Sequence, residues 1–458
     1  MKTSRRGFLQ GATAQAGTAA LAADTQGHPN ILYIHSHDSG RYLQPYGFAI
    51  PTPALLKLAS EGVLFRNAFS AAPTCSPSRA ALLTGESPHQ NGMLGLAHRG
   101  FALNDYRKHL LYTLRDAGYV SVLGGLQHIA AKPETIGYDE ILPHASTHVA
   151  DVAPAVVSFL NRKQTKPFFL DVGFQETHRE YPKPTAADDP RYTQPPSLLP
   201  DTPETRLDMA SYHASARVLD QGVKQVLDAL ERNGLAANTL VISTTDHGIA
   251  FPNMKCNLLD TGWGVSLIMR GPGLFQGGKI CDAMISHLDL YPTLCELIGA
   301  AKPARLTGRS FLPVLRGEQK EINDEIFAEV SYHAAYEPKR AVRTHRYKYI
   351  RRFGDYRKPV LPNCDDGLSK TVWLEYGWGR QELPPEDLYD LIFDPEENHN
   401  LASDPRYSAA LKEMRGRLDS WMSRTNDPLL KGPVPLPAGA RINPQDGVSP
   451  RDQPGMRI

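Results

Sequence analysis

Short apolar runs alternate with stretches of helical periodicity along roughly the first 300 positions. Residues 30–34 (Asn-Ile-Leu-Tyr-Ile) read as a buried strand bounded by Pro29 and a polar cluster. A helix is predicted from Thr52-Pro53, with Leu55, Leu58 and Ala59 on one face and Gly62 closing it. The pairing recurs. Residues 168–173 form a strand, residues 212–231 a long amphipathic helix stopped by Asn233-Gly234, and residues 239–244 a further strand. This alternation predicts an α/β fold: a large mixed, mostly parallel sheet flanked by helices. From about residue 325 the texture changes. Residues 342–344, 347–350 and 387–390 read as short antiparallel strands, and a helix is predicted over about 405–425. The expected organisation is a catalytic unit over 24–324 and a smaller C-terminal antiparallel-sheet-plus-helix subdomain over 325–430. A Pro-rich extended tail over 431–458 follows, for which the sequence allows mobility. No internal repeat stands out.

Composition narrows the class. The chain has 458 residues, a formal charge of +1, and 37 Gly with 37 Pro, which indicates a loop-rich soluble enzyme. A dedicated nucleic-acid binder would carry a basic excess, so none is expected as a partner. Ser4-Arg5-Arg6-Gly7-Phe8-Leu9, followed by an Ala/Gly-rich run to Ala23, reads as a twin-arginine export signal over residues 1–23. The competing reading is a basic, disordered tail. Removal of the signal takes away three cations and leaves a charge of −2. Export by this route delivers a folded enzyme to the periplasm or beyond, with its metal and any cysteine modification installed beforehand. No run of 18 apolar residues marks a membrane span. Cys75, Cys256, Cys281, Cys295 and Cys364 show no CxxC spacing, and their odd number argues against a disulfide framework.

In open α/β sheets ligands collect beyond the carboxyl ends of the strands. Three predicted strands end in reactive residues: Ser36-His37-Asp38-Ser39-Gly40, Gln175-Glu176-Thr177-His178 and Thr245-Asp246-His247-Gly248. Each alone has a bland reading as a turn, but three endings on one sheet edge suit a divalent cation. The imidazoles shift the preference from calcium towards manganese, zinc or iron. In Thr74-Cys75-Ser76-Pro77-Ser78-Arg79 the proline fits the first helical turn and Gly85 stops the helix. Cys75 would then sit where free N–H groups and the helix dipole attract anions, with Arg79 one turn on. Taken locally, this leaves a functional cysteine and an inert buried one equally open.

Cys75-Ser76-Pro77-Ser78-Arg79 with Ala81-Leu82-Leu83-Thr84-Gly85 resembles the signature of the type I sulfatases of the alkaline phosphatase superfamily. The resemblance implies that Cys75 is oxidised to formylglycine by a formylglycine-generating enzyme, and that its hydrate attacks sulfur with help from one divalent metal, calcium in the family. It covers nearly all of the chain beyond residue 23. His89-Gln90-Asn91-Gly92-Met93, Arg217 to Gly222, Phe251-Pro252 and the run Leu388 to Arg406 are most similar to the heparan N-sulfatase (sulfamidase) branch, which implies a sulfated carbohydrate substrate. Carried over residue by residue, the metal ligands are His37, Asp38, Asp246, His247 and the Cys75 position, and the catalytic set is Cys75, Arg79, His128, His178 and Lys255. Two departures stand out. His37 occupies a family aspartate position, and Leu126 replaces a lysine that touches sulfate, with Gln127 beside it and Lys132 as a possible substitute. Arg41, His98, Arg99, His333, Arg340 and Arg343 are candidate substrate contacts, against the plainer reading of each as a solvated surface charge. The departures keep open a phosphonate monoesterase or phosphodiesterase of the same superfamily. A glycan-binding pseudoenzyme is the non-catalytic alternative.

Overall fold

A computed structural model describes residues 28–452; the export-signal reading at 1–23 lies outside the described residues. The larger sheet contains β1 (Asn30–Ser36), β2 (Val63–Phe69), β3 (Val120–Gly125), β4 (Glu140–Ile141), β5 (Phe168–Gly173), β6 (Thr239–Thr245), β7 (Leu267–Arg270) and β8 (Lys279–Ser286). Their spatial order is β4-β3-β5-β1-β6-β7-β2-β8. Only β7 runs against the rest, so the sheet is mixed and mostly parallel. The smaller sheet is antiparallel and built from β9 (Ile326–Tyr332), β10 (Tyr336–Arg343), β11 (Tyr347–Arg352) and β12 (Glu386–Asp390), in the order β12-β11-β10-β9.

Why β1 reads as an unbroken apolar run is visible in its packing. Ile31 and Tyr33 enter one core cluster and Leu32 and Ile34 another, because alternate side chains face opposite sides of a sheet covered on both. One face is covered by the helices Val149–Leu160 and Pro203–Arg232, and the other by Cys75–Thr84 and Leu290–Leu297. The long helix begins earlier than its apolar periodicity suggested. Thr202 caps it by accepting the Thr205 N–H, and Pro203 occupies the first turn. None of these helices is long and apolar enough to cross a membrane, nor is any other among the described residues. The five cysteines are all buried, and none is paired.

Residues 432–452 are fastened rather than free. Asn443 is buried and bridges Ala335 in parallel, its N–H donating to Ala334 O at 2.7 Å. Val434 N donates to Tyr336 OH at 2.9 Å, and Lys370 Nζ donates to Val448 O at 2.7 Å. These bonds carry the chain back across the carboxyl edge of the large sheet, where it forms part of a cleft wall.

Candidate active site

The register of β1 with β6 pairs Ser36 with Thr245, so the next residues of both strands, His37-Asp38 and Asp246-His247, emerge side by side. The Asp38 N–H donates to Asp246 Oδ1 at 2.9 Å. The two strand ends approach closely at Gly40, whose φ is +54° and whose missing Cβ would lie 3.0 Å from the Gly248 Cα. Cys75 opens the helix Cys75–Thr84 directly above them and is fully buried.

One ligand atom from each of His37, Asp38, Cys75, Asp246 and His247 falls within 4.8 Å of all the others. His37 Nδ1 is 2.8 Å from Asp38 Oδ1 and 3.2 Å from Asp246 Oδ2. Burial pushes the His37 imidazole down to about 3, more than the neighbouring Asp246 and Asp38 charges raise it, so it is neutral. His247 Nδ1 lies 3.0 Å from Gly248 O and donates to it. Its Nε2 faces Asp38 Oδ1 and Cys75 Sγ, each 3.3 Å away. Two carboxylates and two imidazoles converging with the Cys75 sulfur are a donor set that a divalent cation would satisfy. Burial would raise both carboxyl groups, but Lys255 beside Asp38 and Arg79 beside Asp246 hold them well below the usual carboxylate range.

Arg79 carries the cluster into the sheet. Its Nη2 donates to Asp246 Oδ2 and to Ser36 O, both at 2.9 Å, and its Nη1 contacts His35 Nδ1. His35 Nε2 in turn lies 2.9 Å from Asp171 Oδ1, and Asp171 Oδ2 accepts from Tyr138 OH at 2.5 Å. Sequence reasoning missed His35, Asp171 and Tyr138. The available signal was polar residues inside otherwise apolar β1 and β5.

Lys255 Nζ is 2.8 Å from Asp38 Oδ2, 2.8 Å from Asp365 Oδ2 and 3.3 Å from His178 Nε2. His178 Nδ1 donates to Arg179 O, which turns Nε2 towards the cluster. The His128 ring lies 5.5 Å from that of His37 and stacks on His98, with Nε2 at 3.0 Å from His98 Nδ1. Burial depresses His128 far below the usual imidazole range, and takes His98 to about 4. Gln127 is spent on its own loop, binding the Ile129 and Ala130 amides and Ala130 O. Lys132 is solvent-exposed, so His98 rather than Lys132 occupies the space beside His128.

A cleft of about 290 Å³ opens beside this site, lined among others by Arg99, His178, His333, Asp365 and Arg451. His333 is thus brought to the cleft and Arg99 to its wall, where Arg99 donates to Asn443 Oδ1 at 2.7 Å and to Pro450 O at 3.0 Å. The expected mouth contacts of three other arginines are corrected. Arg340 is fully buried, paired with Asp427 at 2.6 Å and Glu329 at 3.1 Å. Arg343 pairs with Asp260 at 3.0 Å, and Arg343 and Arg41 each lie 4.5 Å from the centre of the Phe69 ring. Each is taken up inside the fold because a buried guanidinium needs a carboxylate, a carbonyl or an aromatic face, and Arg343 thereby ties β10 to Phe69 of β2. Asp365 was not foreseen.

Residues 29–300 match the family model described as Sulfatase, and residues 254–361 match the model described as N-sulphoglucosamine sulphohydrolase, C-terminal. The chain is 32% identical over 466 residues to N-sulphoglucosamine sulphohydrolase of Homo sapiens, covering 88% of this chain and 92% of the relative. It is 31% identical over 446 residues to an ulvan-active sulfatase of Formosa agariphila, with 92% and 86% covered. A solved structure described as a 2-O GAG sulfatase superposes with a TM-score of 0.69 at 24% identity, over 94% of this chain and 97% of that one, and so agrees in fold.

Proposed function

The chain belongs to the sulfatase family, and from that premise we propose that Cys75, oxidised to formylglycine, supplies the nucleophile for removing sulfate from a carbohydrate, with N-sulfoglucosamine of the heparan type as the favoured unit. The enzyme hydrolyses sulfate esters or sulfamates. One observation carries the assignment of the nucleophile: Cys75 stands at a helix N-terminus, 3.3 Å from His247, inside a cluster of two imidazoles and two carboxylates. The sulfamate preference rests on the C-terminal match over residues 254–361 and on the human relative, whose name specifies N-sulphoglucosamine.

His37, Asp38, Asp246 and His247 are the residues that would hold the divalent cation, together with the modified residue 75. When bound, the cation lowers the pKa of the attacking hydroxyl and offsets charge on the sulfate oxygens. The chain's own groups do the rest. Arg79 fixes Asp246 against the end of β1. Lys255 grips a sulfate oxygen as a point charge, and His128, held by His98, offers a second polar contact. His178, anchored through Nδ1, presents Nε2 towards the leaving group and delivers a proton there. Residues 1–23 carry the enzyme, by this reading, through the twin-arginine route to the periplasm or outside, after a formylglycine-generating enzyme has acted.

Mass spectrometry of the Cys75 peptide, from protein made together with a maturating enzyme, is expected to show formylglycine. Full activity of unmodified protein overturns the mechanism. A panel of N-sulfoglucosamine, O-sulfated sugars, aryl sulfates and phosphonate esters ranks the substrates. Preferential turnover of phosphonate esters, which His37 and Leu126 make the sharpest rival, overturns the substrate class.

A further inference from the structure

The sulfate-gripping lysine does not stand alone. Asp365 Oδ2 lies 2.8 Å from Lys255 Nζ, and one oxygen of Asp365 falls within 4.8 Å of both His178 and Asp38. The Asp365 side chain keeps 12% of its surface open, towards the 290 Å³ cleft. The loop that carries it is built to hold it there. Lys370 Nζ donates to Cys364 O at 2.7 Å and to Leu361 O at 3.1 Å, and Asn363 Oδ1 accepts the Ala335 N–H at 2.8 Å. Across the same cleft His333 is only 3% exposed, and its Nδ1 finds no hydrogen-bond partner among the described residues. A fixed carboxylate and an unpaired buried imidazole, both facing a cleft beside the proton-delivering His178, form a recognition site for a polar group on the departing sugar.

We propose that Asp365 is a specificity-determining residue, accepting the N–H of a sulfamate at the bond being broken and so favouring N-sulfated over O-sulfated sugars. The inference rests on the sulfamate reading given above. A sulfamate nitrogen keeps one hydrogen to donate; the bridging oxygen of a sulfate ester has none and would set its lone pairs against the carboxylate. As the S–N bond breaks, its electron pair passes to nitrogen. His178 supplies one proton to that pair, and the original N–H remains donated to Asp365. The product departs as an amine that takes its further proton from water. Sulfur forms its new bond to a hydroxyl oxygen of the formylglycine made from Cys75, while Lys255 pairs with the sulfate oxygens and the Asp365 charge turns away a second anionic substituent.

The test compares kcat/KM of the matured wild-type enzyme, Asp365→Asn and Asp365→Glu on N-sulfoglucosamine and on glucosamine 6-O-sulfate. A ratio of two substrates within one variant does not depend on how much of that variant folds. Wild type is expected to prefer the sulfamate. Asp365→Asn should lower the N-to-O ratio by about tenfold to a hundredfold, and Asp365→Glu should restore part of it. Equal loss on both substrates, or an unchanged ratio, overturns the role of Asp365 while leaving the substrate reading intact. Wild type that cleaves the ester and not the sulfamate overturns both.

Discussion

Arg79 Nη2 lies 2.9 Å from Asp246 Oδ2, and both side chains are almost wholly buried. The guanidinium spans from this carboxylate to Ser36 O and His35, which a single ammonium cannot do. Arg79→Lys is expected to lower kcat by about a hundredfold with a small change in KM. Arg79→Ala should also cost about 3–5 kcal/mol of stability, because it removes the guanidinium from a buried carboxylate and leaves Ser36 O without that donor. Steady-state kinetics and urea melts of both variants measure this.

Removal of the nucleophile is expected to be more severe. Cys75→Ala should reduce turnover on the order of 10⁵-fold while the urea midpoint barely moves, since the side chain lost is small. A variant that retains more than a thousandth of wild-type activity would refute the assignment.

His37 replaces a hard oxygen donor with an imidazole. Protein purified without added metal is expected to carry manganese, zinc or iron rather than calcium. His37→Asp should reverse this, raising calcium affinity relative to zinc by at least about tenfold. Elemental analysis and calorimetric titration of the two proteins decide it.

His98 holds His128 across 3.0 Å where the family resemblance calls for a lysine at the position of Leu126. His98→Ala is expected to raise KM for sulfated substrates about tenfold. His98→Asn, which can still hydrogen-bond His128, should recover part of the loss. Inorganic sulfate inhibition should weaken in parallel.

His109 is fully buried, and its Nδ1 accepts the Leu111 N–H at 3.0 Å at the start of a short helix. Burial lowers its pKa to about 4, against a nearby Asp171 that raises it. Between pH 6.5 and 4 the unfolded chain therefore binds a proton that the folded chain does not. Its contribution to stability is full above pH 6.5 and falls as pH drops, by ~1.4 kcal/mol per pH unit. His109→Asn keeps the cap and should flatten the pH dependence of the urea midpoint over that range. An unchanged slope would show that His109 takes up its proton in the folded chain as readily as in the unfolded one.

What the sequence made legible follows the physics of each feature. β1, β5 and β6 are buried on both faces and so appear as continuous apolar runs, and reactive residues that directly follow such runs announce themselves. The metal-site and catalytic candidates came together for that reason. β7 could not be recognised as antiparallel, because strand direction depends on the path of the connections and leaves no trace in four residues. Arg340 and Arg343 read as mouth residues because an arginine in the sequence carries no sign of a buried partner distant along the chain. They lie on β10, a central strand of the small sheet, where buried partners at Asp427, Glu329 and Asp260 absorb them. Asp365 was invisible for the converse reason. Asp365-Asp366-Gly367 reads as a turn, and only the packing of that loop against distant chain brings it to Lys255.

The complete burial of Cys75 sets a clock. Part of its enclosure is made by Asp246 and His247, and Asp246 follows it by 171 positions. At ribosomal speeds of ~5–20 residues per second that stretch takes ~10–35 s to emerge. During that time β6 does not yet exist and the thiol has no lid. On the proposed maturation, an oxidising enzyme competes with chain elongation and collapse. Slower translation ahead of β6 would raise the yield of converted residue 75, and faster translation would seal in unconverted thiol.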